Sequence, residues 1–294
     1  MKIVSLFGLL MVAASSPVLS QDDLLKELEQ SQKPAVEYTE QTFKGTRLVN
    51  GQSVESKGRG ELEFIFAHRF GPVKGGFYEL FGLDQAQVRL GLEYGITDRF
   101  GVGFGRNSFD KTMDAFVRYK ALRQSSGARQ VPVTVTAFAN AAYKSAPKKS
   151  ADPSLTTEDR LSYTTQLLIA RKFSSALSLQ LMPTLVHKNT VNQTEENNDQ
   201  FALGLGGRLK VSRSIALTTE YYYRVNVPED NPYHNVVGLG IDIETGGHVF
   251  QLVITNTRGL TERAWLTETE GDFTAGDLQL GFNITRTFQL VKRK

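Results

Sequence analysis

The sequence contains no cysteine. Disulfides therefore add nothing to its stability, even in an oxidising compartment, and lipid attachment through an N-terminal cysteine is excluded. Four histidines are present, His68, His187, His234 and His248. None are paired at metal-ligand spacing, and no Walker, Rossmann or zinc motif occurs, so no cofactor or metal is expected. A strong charge of one sign is also missing, because the formal net charge is only +3, and no nucleic-acid partner is expected. Beyond the N-terminus there is no apolar run long enough for a membrane-spanning helix.

The N-terminus itself is informative. Lys2 precedes an apolar stretch, Ile3–Ala14, and then small residues ending in Val18-Leu19-Ser20. Residues 1–20 read as a signal peptide cleaved after Ser20, which implies export through the Sec pathway. Residues 21–58 read as a periplasmic leader. Within it, Leu24, Leu25 and Leu28 have helical spacing and Pro34 ends the segment. "TFKGTRLVNGQSVES" (Thr42–Ser56) then places Asn50-Gly51 between β-prone flanks, a hairpin signal in which both turn positions take positive φ.

From Glu61 onward the period is two. In "LEYGITDRFGVGFG" (Leu92–Gly105), Leu92, Tyr94 and Ile96 alternate with Glu93 and Gly95, and Phe100, Val102 and Phe104 alternate with glycines. The same alternation recurs to Ile284 and gives about twelve strands. The connections between them alternate long and short, with 123–130 the poor fit to that rule. An even-numbered meander with long loops at one end and tight turns at the other is the build of an outer-membrane barrel. A soluble sandwich or soluble barrel shares the alternation, but not the export signal, the loop asymmetry or so many glycines on the polar face. The expected fold is thus all-β: a transmembrane up-and-down antiparallel β-barrel over 59–294. Its aromatics near strand ends (Tyr94 and Phe100, Tyr143 and Tyr163) suit an interfacial girdle.

In such a barrel the polar parity lines the lumen. It carries Glu61, Glu63, Glu93, Asp114, Glu220, Asp242 and Glu244, and also Arg89, Arg118, Lys120, Arg208, Lys210 and Arg224. Seven acids against six bases argue against a single-sign filter. Two readings stay open: ion pairs that fill the lumen, or a wet, weakly selective pore. The Thr42–Ser56 hairpin either plugs the lumen or hangs below it. Trp265, the only tryptophan, lies in the last long loop and either folds inward or docks at the membrane surface. His68 and His187 fall on nearly opposite strands and share no site. Nothing groups a serine, a base and an orienting residue as a barrel hydrolase requires.

Several stretches together, "TFKGTRLVNGQSVE", "HRFG", "FGLDQAQVRLGLEYGITDR" and "VFQLVITNTRGLTERAWLTETEGDF", resemble a family of bacterial outer-membrane barrel proteins known only as a domain of unknown function. The resemblance covers nearly all of the chain after residue 20. It implies a barrel in the outer membrane of a Gram-negative bacterium, in contact with lipid and lipopolysaccharide and inserted by the barrel assembly machinery, with Phe288 closing the last strand. It supplies no substrate and no catalytic residue. The expected function is passive passage of small polar solutes or ions. The alternative is a non-conducting barrel that docks a periplasmic or surface partner, and a barrel enzyme ranks third.

Overall fold

The computed structural model describes residues 35–146 and 156–291. The expected signal peptide and the leader helix at Asp22–Gln32 lie outside the described residues. Alternating sequence becomes strand almost everywhere it was expected. A short β1 (Val36–Tyr38) is followed by β2 (Glu61–Pro72), β3 (Ala86–Gly95), β4 (Phe100–Asn107) and β5 (Thr112–Leu122). Then come a short β6 (Ser125–Gly127), β7 (Thr134–Lys144), β8 (Leu161–Lys172), β9 (Leu177–Lys188) and β10 (Asp199–Lys210). The chain continues with β11 (Ile215–Val225), β12 (Val236–Thr245), β13 (His248–Thr255) and β14 (Gln279–Gln289). One six-residue helix, α1 (Glu262–Thr267), lies in the last long loop. No helix among the described residues is long and apolar enough to cross a membrane.

Twelve of these strands close into one antiparallel barrel, each paired with its neighbour in sequence and β14 paired back to β2. Closure satisfies the backbone groups that an open edge would leave bare. Connections 96–99, 173–176, 211–214 and 246–247 are tight and share one end, the turn end. Segments 73–85, 145–160, 189–198, 226–235 and 256–278 share the other, the loop end, with a short 108–111. The connection that fits the alternation poorly, between β5 and β7, has a separate task. It contains β6, which pairs antiparallel with β1 through Val36–Gly127 and Tyr38–Ser125, and so holds the chain leading into the hairpin.

Parity decides which solvent each residue meets. Leu92, Phe104, Leu205 and Leu252 are exposed on the outer wall, whereas Glu93, Arg118, Glu220 and Asp242 on the opposite parity are buried. Water would not tolerate such a continuous leucine and aromatic belt on a monomer, and lipid requires it. The hydrophobic core lies inside the ring. Phe116, Phe138, Leu168, Met182, Val186, Tyr222 and Val236 point inward from the strands. They pack with Phe43, Leu48 and Val54 of the hairpin and with Trp265 and Leu266 of α1.

If the outer belt meets lipid, Leu205→Arg should destabilise the barrel by about 2–4 kcal/mol in a bilayer. Denaturant titration in lipid vesicles would measure this; a loss near zero would contradict a lipid-facing Leu205.

Candidate functional site

The lumen is the candidate site, and its walls were built to be covered. Strand β4 shows how. Ahead of the buried Asn107 its inward positions are Gly101, Gly103 and Gly105, so neighbouring side chains can lie across that stretch. Phe116 covers Gly103 and Arg89 covers Gly105, each where a β-carbon would overlap them. Over this bare strand Arg89 reaches Asp114 at 2.5 Å and the Arg118 Nε reaches Glu93 at 3.0 Å. Both pairs join β3 to β5 and are fully buried.

The Thr42–Ser56 hairpin occupies the middle of the lumen. An Arg47–Gln52 bridge forms its neck, with Leu48 N–H donating to the Gly51 carbonyl at 2.9 Å. Neither Asn50 nor Gly51 has positive φ, so the expected Asn-Gly turn geometry is not the one adopted. Tertiary contacts set this tip instead. The N–H groups of Val49, Asn50 and Gly51 all donate to the Glu220 carboxylate, at 3.1, 2.7 and 3.0 Å. Gly51 is needed for approach rather than for turn geometry, because a β-carbon there would overlap the Tyr222 hydroxyl.

Side chains from around the ring bind the rest of the hairpin backbone. Gln180 acts as a two-point clamp, accepting from Val54 N–H at 2.8 Å and donating to the Gln52 carbonyl at 2.7 Å. Gln251 donates to the Leu48 carbonyl at 2.6 Å, and Asn283 and Arg69 donate to the Val49 carbonyl at 3.0 and 3.2 Å. Thr136 donates to the Val54 carbonyl, and Arg118 reaches Gln52 Oε1 at 2.6 Å. Buried backbone is costly without partners, and here barrel side chains supply them.

From the loop end, α1 folds into the same space. Trp265 is fully buried with its ring 4.7 Å from that of Tyr222, so this loop turns inward. Glu262 accepts from Gln52 Nε2 at 2.5 Å and faces Arg47 at 3.5 Å. Hairpin and helix thus meet inside the barrel. Just beyond α1, Glu268 takes Arg263, Lys188 at 3.3 Å and Lys144 at 3.4 Å. Burial pushes this carboxyl up, but the three cations outweigh it and hold it at about 2.

Of the sequence-assigned lining residues, Glu63, Arg89, Glu93, Asp114, Arg118, Arg208, Glu220, Arg224 and Asp242 are buried inside the ring. Glu63 binds Lys57 at 2.7 Å, Lys120 binds Glu55 at 3.3 Å, and Arg208 binds Glu244, which also pairs with Lys44 at 3.1 Å. Glu61 accepts from Gly58 N–H at the turn end, and Lys210 is exposed at the same end of β10. The charges are spread among wall-to-wall and wall-to-plug contacts and form no single focus. Sequence reasoning passed over Phe116, Phe138, Met182 and Tyr222. Their signal was present: large apolar groups on the polar parity have no use in a water-filled pore. His68 and His187 lie on β2 and β9, opposite in the ring, as expected. No metal-binding group of three His, Cys, Asp or Glu occurs among the described residues.

A family model described as "Membrane bound beta barrel domain (DUF5777)" matches residues 43–288, and the chain belongs to that family. The match begins inside the hairpin. Comparison with curated proteins gives no match. Among solved structures, the KdgM porin is 8% identical with a TM-score of 0.47, covering 78% of this chain and 99% of that one. The outer membrane protein Omp33 of Acinetobacter baumannii is 11% identical with a TM-score of 0.41, covering 81% and 100%. The COG4313 outer membrane channel from Pseudomonas putida F1 is 12% identical with a TM-score of 0.45, covering 80% and 98%. The twelve-stranded ring rests on its own strand pairing.

Two measurements check this geometry. A β-carbon at Gly238 would stand 3.0 Å from Val49 Cγ1, which brings the two β-carbons within reach of a disulfide's span of about 3.5–4.5 Å. The cysteine-free chain carrying Val49→Cys and Gly238→Cys should therefore cross-link on mild oxidation, seen as a reduction-sensitive gel shift; free thiols after oxidation would place the tip elsewhere. The second concerns Glu268, whose folded carboxyl sits below its ordinary 4.5. Its stabilisation is complete above that value and is lost as pH falls toward 2. Acrylamide quenching of Trp265 should separate wild type from Glu268→Gln by a constant margin from pH 7 to about 4.5, and the margin should vanish near pH 2. A margin that is flat throughout would refute the latch.

Proposed function

We propose that this member of the membrane-bound β-barrel family is a gated outer-membrane passage for small polar solutes, held shut by its own hairpin and α1. One observation carries the reading: the space that a twelve-stranded ring encloses is filled by two separate segments of the same chain, and neither is a wall strand. An outer-membrane setting puts the tight turns in the periplasm and the long loops outside. The hairpin then enters from the periplasmic side, tethered through β1 and β6, and α1 enters from outside.

Energetics argue for a closed resting state. Burying Phe43, Leu48 and Val54 contributes roughly 1.5–3 kcal/mol each. Withdrawing the hairpin costs most of that and also strips Glu220 of its amide donors. Spontaneous opening is rare on this scale, so a partner or ligand must drive it. A periplasmic partner acting on the segment before β1 suits the tether. The second reading is a permanently closed structural or docking barrel. It is favoured by the inward apolar residues, which pack as a protein core rather than as a pore lining.

Planar-bilayer recordings separate the two. Wild type should be nearly silent. Deleting Thr42–Ser56 should give resolvable current steps, and replacing Glu262–Glu268 by a Gly/Ser linker in that deletion should enlarge them. If both variants fold, by a heat-modifiable gel shift, and both stay silent, the passage reading is wrong and the structural barrel stands.

A further inference from the structure

The loop end of the lumen contains a recess of about 130 Å³ beside Glu268, roughly the volume share of four water molecules. Lys144, Arg160, Lys188 and Arg263 line it, with Asp159 and Glu268. Four cations from the ends of three barrel strands or their loops and from α1 therefore converge on one small pocket. Lys188 and Arg263 are almost fully buried; Lys144 is partly open. Such a concentration of positive charge in a recess reads as an anion site.

The anion now in it is the chain's own carboxylate, and the fit is incomplete. All of the cation contacts fall on one oxygen, Glu268 Oε1. The two ammonium groups stand off at 3.3 and 3.4 Å, whereas charge-assisted hydrogen bonds ordinarily close to about 2.7–2.9 Å. Arg263 Nε, on a side chain only 2% exposed, has no hydrogen-bond partner among the described residues. Arg160 donates to the Ala146 carbonyl at 3.1 Å. A free carboxylate, not tethered to the backbone, could settle closer to both lysines and use more of the guanidinium forks.

We propose that this recess binds a small carboxylate in exchange for Glu268, and that the exchange frees the C-terminal end of α1 from the wall. Glu268 is the residue that follows α1, and it ties that end of the helix to Lys144 and Lys188 of the wall through this pocket, while Arg263 keeps a separate contact with Asp110 at 3.2 Å. Asp110 and Glu196 stay behind to balance Lys144 and Lys188. Binding of the carboxylate stands independently; its consequence for passage rests on the gated reading above.

Trp265, the only tryptophan, reports on the exchange from within α1. Refolded full-length protein is titrated with sodium succinate, against sodium chloride at matched ionic strength, and acrylamide quenching is read. Succinate should raise quenching saturably and chloride should not. Lys144→Gln should raise the half-saturating concentration about tenfold, whereas Glu268→Gln, which removes the resident carboxylate and so the latch, should leave Trp265 open before succinate is added and gain little further quenching. A Glu268→Gln protein that is as closed as wild type and still opens at the wild-type succinate concentration overturns the exchange, because Glu268 would then not be the group that succinate displaces. So does an equal response to chloride, or unchanged half-saturation in Lys144→Gln. Bilayer current recorded with succinate keeps the two proposals apart. Saturable quenching without current in any variant sinks the gate and leaves the site. Current from the hairpin deletion, with no succinate response in quenching, sinks the site alone.

Discussion

Three consecutive amide groups of the hairpin tip hold the Glu220 carboxylate, and the filled lumen depends on that contact. A carboxylate buried in a protein wall is expensive unless its charge is met. Here no cation meets it directly; the backbone of another segment does. The dependence runs both ways. Without the hairpin, Glu220 loses these donors, and without Glu220 the tip has three buried N–H groups to satisfy. Arg69, Gln251 and Asn283 complete the arrangement by taking the tip carbonyls, so the wall supplies both halves of the hydrogen bonding that a neighbouring strand would provide.

The apolar contacts follow from this placement. With the tip fixed, Leu48 and Val54 join the buried cluster that contains Met182 and Phe138, and the Trp265 ring packs against Tyr222. The molecule therefore has two apolar surfaces of different purpose. The outer belt faces lipid and is set by the membrane. The inner cluster is covered by this chain's own segments, which is why the lumen is filled.

The loop end carries the weaker closure. The hairpin is held around the whole ring by buried hydrogen bonds, those to Glu220, Arg69 and Gln180 among them, whereas α1 is tied outward by ion pairs of Glu268 with Lys144 and Lys188 and of Arg263 with Asp110. Ionic contacts at a partly open mouth exchange with solutes and respond to pH and salt; buried amide contacts do not. On the gated reading proposed above, the responsive element lies at the loop side and the durable plug on the turn side.

Local pattern in the sequence was enough for the wall. Period two assigned Leu92 and Phe104 to lipid and Glu93 and Arg118 to the lumen, because lipid and water impose opposite demands on adjacent residues. The alternation of connection lengths identified the two ends. Nine of the thirteen lining residues sit buried as parity implied, while Lys210 ends in solvent because parity says nothing about where a strand runs out of the filled interior. What the lumen contains was beyond local pattern. Asn50-Gly51 announced a turn, but its geometry was set by Glu220 and Tyr222, about 170 residues away in the chain. Gln52 meets Glu262 across 210 residues. Contacts of that separation have no periodicity to reveal them. The sequence by itself determined a lipid-facing barrel; only the tertiary structure decided that the barrel is shut, since closure depends on which distant segments satisfy the inward-facing groups.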